Sequence, residues 1–299
     1  MTKKFAVHYY FTGCVLLYLL ITLWTPVDPK AIHQYHLTTT QVHLLSVGII
    51  VPVLLIWCLA LYAYKRLTDY SSLISNHKDG KLIRLVGQGV GVLALGSPTT
   101  AVINSFMTFL SRHRASLLTP SLIITNYFTL IIPLLAFIII GMAARRLTSN
   151  TKYRLSQTMT NALLIAFTCL SVAYCYFIFS NQHITTVYKL PLSILALTVV
   201  VPYIFTWFTG MLAVTDLLIY SAKAQGLLYR KGWQFLAYGL GLVILSSIAI
   251  QYTTTLTERL SKLHVGWLLG IIYLLILLIA SGYVLIARGS NYLKKMEEV

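Results

Sequence analysis

Acidic residues are scarce. The chain has 299 residues, of which only 7 are Asp or Glu, against 23 Lys and Arg, and charged residues make up 10% of it. Soluble domains carry about 25%. With 58% of its residues hydrophobic, the chain lacks the polar sequence needed to cover a water-facing surface, which excludes an ordinary soluble globular domain. No Asp, Glu, Lys or Arg lies deep in an apolar run. Intramembrane charges mark proton relays and ion-coupled carriers. Their lack counts against a proton-driven antiporter or a carboxylate-relay pump, and no helix-interior lysine is available for a retinal Schiff base.

Reactive side chains are equally sparse. The four cysteines (Cys14, Cys58, Cys169 and Cys175) all fall inside apolar runs, with no C-x-x-C spacing, so they read as small buried hydrophobes. No N-x-[ST] glycosylation acceptor occurs. Nor is there an H-E-x-x-H, a G-x-S-x-G, a P-loop or a dinucleotide fingerprint; Gly87-x-Gly89-x-Gly91 follows no strand. His33, His36, His43, His113, His183 and His264 gather toward one side. Only Asp28 and Glu258 are acids there, so the histidines read as scattered interfacial residues. The expectation is no enzyme, no metal and no cofactor.

What the chain does have is long apolar runs. They predict an all-α polytopic membrane protein of eight helices, at about 7–24, 40–64, 82–110, 120–144, 158–180, 190–221, 232–252 and 265–287. Short polar loops separate them, and 67–81 reads as one such loop. The first run lacks a small-x-small cleavage pattern before Pro26 and reads as an uncleaved span. Eight spans put both termini on one side. Seventeen of the 23 Lys and Arg fall on that side and six on the other. The positive-inside rule makes it the cytoplasmic side of a cell membrane. The basic excess belongs to loops between apolar runs, so no nucleic-acid partner is expected. Trp24, Trp233 and Trp267 fall near the interfaces, as anchors would.

One stretch occurs twice. Residues 51–100 slide onto 201–250 without a gap, with 12 identities in 50, among them Pro52 and Pro202, Trp57 and Trp207, Gly89 and Gly239, and Gly91 and Gly241. Matches at Pro, Trp and Gly weigh more than matched leucines, because backbone geometry depends on them. The reading is two four-helix repeats, 1–150 and 151–299. An even number of helices per unit makes them parallel, related by an axis along the membrane normal. Proline at 52 and 202 predicts kinks at matching positions.

The third helix is the most unusual. Gly87-Gln-Gly-Val-Gly91 is followed by Gly96-Ser-Pro-Thr-Thr100. Small residues let helices approach, and Gly87, Gly91, Gly239 and Gly241 are expected to pack. Pro98 removes an amide donor, and a break there would free carbonyls at mid-membrane. Two readings follow. Either the hydroxyls bond their own helix, or Ser97, Thr99, Thr100 and Asn104 with Ser246, Ser247 and Gln251 of the other half form a polar, uncharged ligand site.

The layout is similar to the membrane-embedded sensor regions of bacterial signalling proteins, a likeness of architecture that rests on no diagnostic motif. The first expectation is a non-enzymatic sensor or receptor-like module in the lipid bilayer. It would bind a small uncharged or lipidic ligand between its halves and signal to another chain through the tail Ser290–Val299. The alternatives are a transporter or channel for an uncharged solute, or a structural subunit of a membrane complex.

Overall fold

The computed structural model describes residues 2–24, 38–73, 78–113, 118–149, 201–224, 226–260 and 265–297. They form seven α-helices: α1 (Thr2–Trp24), α2 (Thr39–Leu73), α3 (Lys78–His113), α4 (Leu118–Ser149), α5 (Val201–Lys223), α6 (Leu227–Leu260) and α7 (Val265–Glu297). Among the described residues, six of them (α1 to α5 and α7) carry a stretch long and apolar enough to cross a bilayer. The expected span at 158–180 and the first part of the one at 190–221 lie outside the described residues, as do Cys169, Cys175, His33, His36, His183 and His264.

The helices outrun the apolar segments that predict them. α2 was expected to end at Tyr64 but continues to Leu73, and part of the supposed polar loop at 67–81 is helix. Leu67 and Tyr70 are wholly buried there. α7 passes its expected end at Ala287 and reaches Glu297. Hydropathy marks where lipid is, whereas a helix continues wherever its backbone bonds close. At 35 residues, α2 is roughly 50 Å long at 1.5 Å per residue, well beyond a hydrocarbon core of about 30 Å.

Six helices pack in a closed circuit, α2 on α3, then α4, α5, α6 and α7, with α7 back on α2; α1 leans on α3. One continuous apolar core runs through all six, from Ala60, Ala63 and Leu67 on α2 to Tyr283, Ile286 and Leu293 on α7. Contacts give the directions. A Cβ on Gly87 would meet Leu67 at 3.6 Å and one on Gly91 would meet the Tyr64 ring. As the index climbs on α3 it falls on α2, so these helices are antiparallel. Between α4 and α5 the partners climb together. Phe137 meets Gly210, Gly141 meets Ala213, and Arg145 lies within electrostatic reach of Asp216. α4 and α5 are therefore parallel.

The α6 and α7 backbones come into direct contact at two pairs of glycines. A Cβ on Gly239 would stand 2.5 Å from the Gly282 carbonyl oxygen, and one on Gly282 would stand 2.8 Å from that of Gly239. One turn pair further on, Gly289 meets the Gly232 oxygen at 2.7 Å and Gly232 meets that of Gly289 at 3.1 Å. Each helix carries its two glycines seven residues apart, which keeps them on one face. The two antiparallel backbones therefore touch directly, as small residues permit in membranes. α5 and α6 are joined through Gly226, whose φ of 94° is in the left-handed region that favours glycine. Its carbonyl accepts the first bond of α6 from the Arg230 amide.

Trp233 departs from its expected role as an interfacial anchor. It is fully buried, edge-on to Tyr220 and Tyr229, whose hydroxyls are 3.2 Å apart. Its position near the end of an apolar run suggested the interface, but α6 starts five residues earlier than the run, at Leu227, and carries the indole into the core. Trp24 is exposed, as an anchor would be.

Candidate functional site

The expected polar positions fall on α3 and α6. These helices occupy opposite places in the circuit, so neither is the other's principal packing partner. α3 is continuous through Pro98. No helical break occurs at Gly96–Thr100. The Ser97 hydroxyl donates to the Leu93 carbonyl at 2.8 Å and that of Thr99 to Leu95 at 2.8 Å. Hydroxyls can bond carbonyls one turn back in this way, which spends their donors within their own helix. Thr99 has spent its one proton on Leu95, so Tyr10 of α1 donates to it at 2.6 Å.

On α6, Ser247 donates to the Val243 carbonyl at 2.7 Å. Ser97 and Ser247, and their acceptors Leu93 and Val243, are each 150 positions apart. The two serines thus do the same thing in the two halves. Gly96 and Ser246 differ. Gly96 is filled from α4 by Ile132, which a Cβ would strike. Ser246 is buried and its Oγ has no hydrogen-bond partner.

Asn104 is half-buried. Its Nδ2 reaches Thr129 of α4 at 3.4 Å, beyond the usual range, and its Oδ1 is enclosed without a partner. Thr100 is half-buried on the same helix. The Gln251 side chain lies outside the described residues. Two of the expected site residues, Asn104 and Ser246, therefore carry a buried unpaired oxygen; Ser97, Thr99 and Ser247 have their protons engaged.

Of the expected packing glycines, Gly239 lies at the tightest contact and Gly91 sits under the Tyr64 ring, whereas a Cβ added at Gly87 or Gly241 would meet its nearest neighbour at an ordinary van der Waals distance of 3.6 or 3.7 Å. Sequence reasoning passed over Gly232, Gly282 and Gly289. The signal that points to them is a seven-residue glycine spacing repeated on two consecutive helices. Among the described residues no group of three or more His, Cys, Asp or Glu could hold a metal ion.

No family model matches the chain, and no curated protein or solved structure matches it.

Proposed function

We propose that the protein is a non-enzymatic, sensor-like module of a cell membrane, with eight spans in two parallel four-helix units, 1–150 and 151–299, and both termini cytoplasmic. The observation that carries the sensing role is the single unbroken α7 (Val265–Glu297). It runs from an apolar span into the polar tail, and the start of that tail is not free. Gly289, Ser290 and Leu293 are buried, with Gly289 against Gly232 of α6. A ligand that shifts α6 against α7 would move Ser290–Val299 with it, since helices transmit displacement as rigid elements. The tail then presents that shift to a partner chain.

Two features support the parallel units and the eighth span. α4 and α5 run parallel, so a chain leaving α4 at one end of the bundle enters α5 at the other. The intervening sequence holds the apolar run at 158–180, long enough for the return crossing. Packing also repeats. Gly89 meets Ala136 and Ile140, while Gly239 meets Gly282 and Ile286. The first member moves by 150 positions and the second by 146, which corresponds to a connection four residues shorter in the second unit. Trp57 and Trp207, Ala63 and Ala213, and Leu67 and Leu217 are all buried at matching positions. The cytoplasmic assignment of the termini rests on the Lys and Arg asymmetry.

The ligand would be small and uncharged or lipidic, satisfying the unpaired Oγ of Ser246 or Oδ1 of Asn104. The alternative, a carrier for an uncharged solute, needs an aqueous path lined by Ser97, Thr100, Asn104 and Ser247. Two of these hydroxyls bond their own helix, which favours the sensor. Purified full chain in liposomes loaded with glycerol or urea decides between them. The expected result is no efflux above that of protein-free vesicles; protein-dependent efflux sinks the sensor reading.

A further inference from the structure

The α6–α7 seam advances in steps of seven residues. Its first two steps are the glycine pairs, Gly232 with Gly289 and Gly239 with Gly282. From one pair to the next the position rises by seven on α6 and falls by seven on α7. The third step therefore pairs Ser246 with Leu275. Burial marks the same two residues. Ser246 is 2% exposed, and Leu275, at 7%, is the one buried residue of α7 between 270 and 281. The flanks agree. On antiparallel helices, the residues just before two facing positions lie on the same side of the seam. These are Lys231 and Arg288 at the first step, Tyr238 and Ser281 at the second, and Leu245 and Leu274 at the third. All six are exposed. One side of the seam thus faces outward along its length, and at the third step that side is apolar.

The third step differs in chemistry from the other two. At the glycine pairs backbone meets backbone. At the third a serine stands where glycine stood, and its Oγ has no hydrogen-bond partner. Ser247 beside it bonds its own helix at Val243. In the first unit the matching position is Gly96, filled by Ile132. Ser246 has neither arrangement. A Cβ added at Gly232 would meet Leu293, and one at Gly239 would meet Ile286, each four residues beyond the partner glycine. By the same step the Ser246 side chain is directed at Leu275 and Ile279. A trapped water needs roughly three polar partners, which leucine and isoleucine side chains do not supply. A molecule that brings its own apolar body and one hydroxyl suits the place, because a hydroxyl both gives and accepts a hydrogen bond, as serine does.

We propose that the third step of the α6–α7 seam binds an uncharged, lipid-soluble alcohol, with its hydroxyl on Ser246 Oγ and its chain leaving between Leu245 and Leu274. Leu275 is the side chain it displaces. This rests on the sensor reading above and says where the ligand acts. A wedge beyond the Gly239–Gly282 contact turns α7 about that contact, and the tail lies on its other side.

Two experiments on the purified full chain test it. In a cysteine-free background, Ser246→Cys with Leu275→Cys should form an intramolecular disulfide under mild oxidation, and Ser246→Cys with Leu277→Cys should not. Absence of the first bridge, or equal formation of the second, removes the register and with it the site. The chain in nanodiscs is then labelled with a photoreactive long-chain alcohol or with the matching alkane. On the peptides that hold Ser246 and Leu275, wild type should carry about fivefold more alcohol than alkane, the scale of one hydrogen bond. Ser246→Ala should equalise the two without lowering the melting temperature. Equal labelling in wild type overturns the proposal, as does a preference that survives Ser246→Ala or an earlier thermal transition in that variant. Efflux of glycerol from liposomes, with the alcohol preference intact, would instead remove the sensor reading and leave the site in place.

Discussion

At the scale of single residues, the energetics turn on close contacts and unpaired atoms. Gly239 has the backbone of α7 where a side chain would go. Gly239→Val should lower stability by on the order of 2–3 kcal/mol, as overpacking of a tight contact does, seen as an earlier thermal transition in detergent. Gly241→Ala faces only Val214 at 3.7 Å and should leave the transition within about 0.5 kcal/mol of wild type. The contrast matters, because the two glycines are equivalent as letters in the repeat. Ser246 offers the opposite case. Its buried Oγ has no partner, so Ser246→Ala should be neutral or stabilising by up to about 1 kcal/mol in the ligand-free protein, since a buried hydroxyl without a bond carries a desolvation cost. If a ligand bonds that oxygen, the same variant should weaken ligand-dependent thermal stabilisation; a variant that melts earlier without ligand argues that Ser246 is already satisfied.

Among the elements, α7 has the most consequential geometry. Its last turns were legible from sequence only as a polar tail, because Arg288, Asn291 and Lys294 dominate hydropathy there. The helix hides Gly289, Ser290 and Leu293, with Gly289 against α6, leaves Asn291, Tyr292 and Lys294 half-buried and exposes Arg288. Single cysteines placed from 286 to 294 in a cysteine-free background should react with a maleimide in a helical pattern, slow at 286, 289, 290 and 293 and fast at 288. Uniform fast labelling would mean that the tail is undocked, and the route from α6 to a partner would be lost. α3 teaches a related lesson. Pro98 suggested a broken helix, and glycine beside it strengthened the suggestion. The helix nonetheless continues: only the single bond from residue 98 to the Ala94 carbonyl is lost, Ser97 and Thr99 turn their hydroxyls onto their own helix, and Gly96 is filled by Ile132.

For the whole molecule, the parallel α4 and α5 are decisive for topology. Eight spans return the C-terminus to the side of the N-terminus; seven would not. Tags at Met1 and Val299 should both be protected from external protease in intact cells and both be cleaved after permeabilisation. Cleavage of one alone in intact cells would contradict eight spans. Among the described helices, neighbours in the circuit pack antiparallel except α4 with α5 and α7 with α2, which run the same way.

Composition and pattern by themselves determined the helical membrane class, most of the helix positions and the self-match at 150 residues, because lipid imposes a length and an apolarity that any single sequence must display. They also placed Gly239 among the packing residues and Ser97 and Ser247 as a matched pair. Only the tertiary structure decided which glycines touch backbone, that Trp233 is core and not anchor, that α3 is unbroken at Pro98, and that α4 and α5 run the same way. Each of these depends on which helix lies alongside and at what register, and that is a property of pairs of segments far apart in the chain, invisible to hydropathy read along one of them.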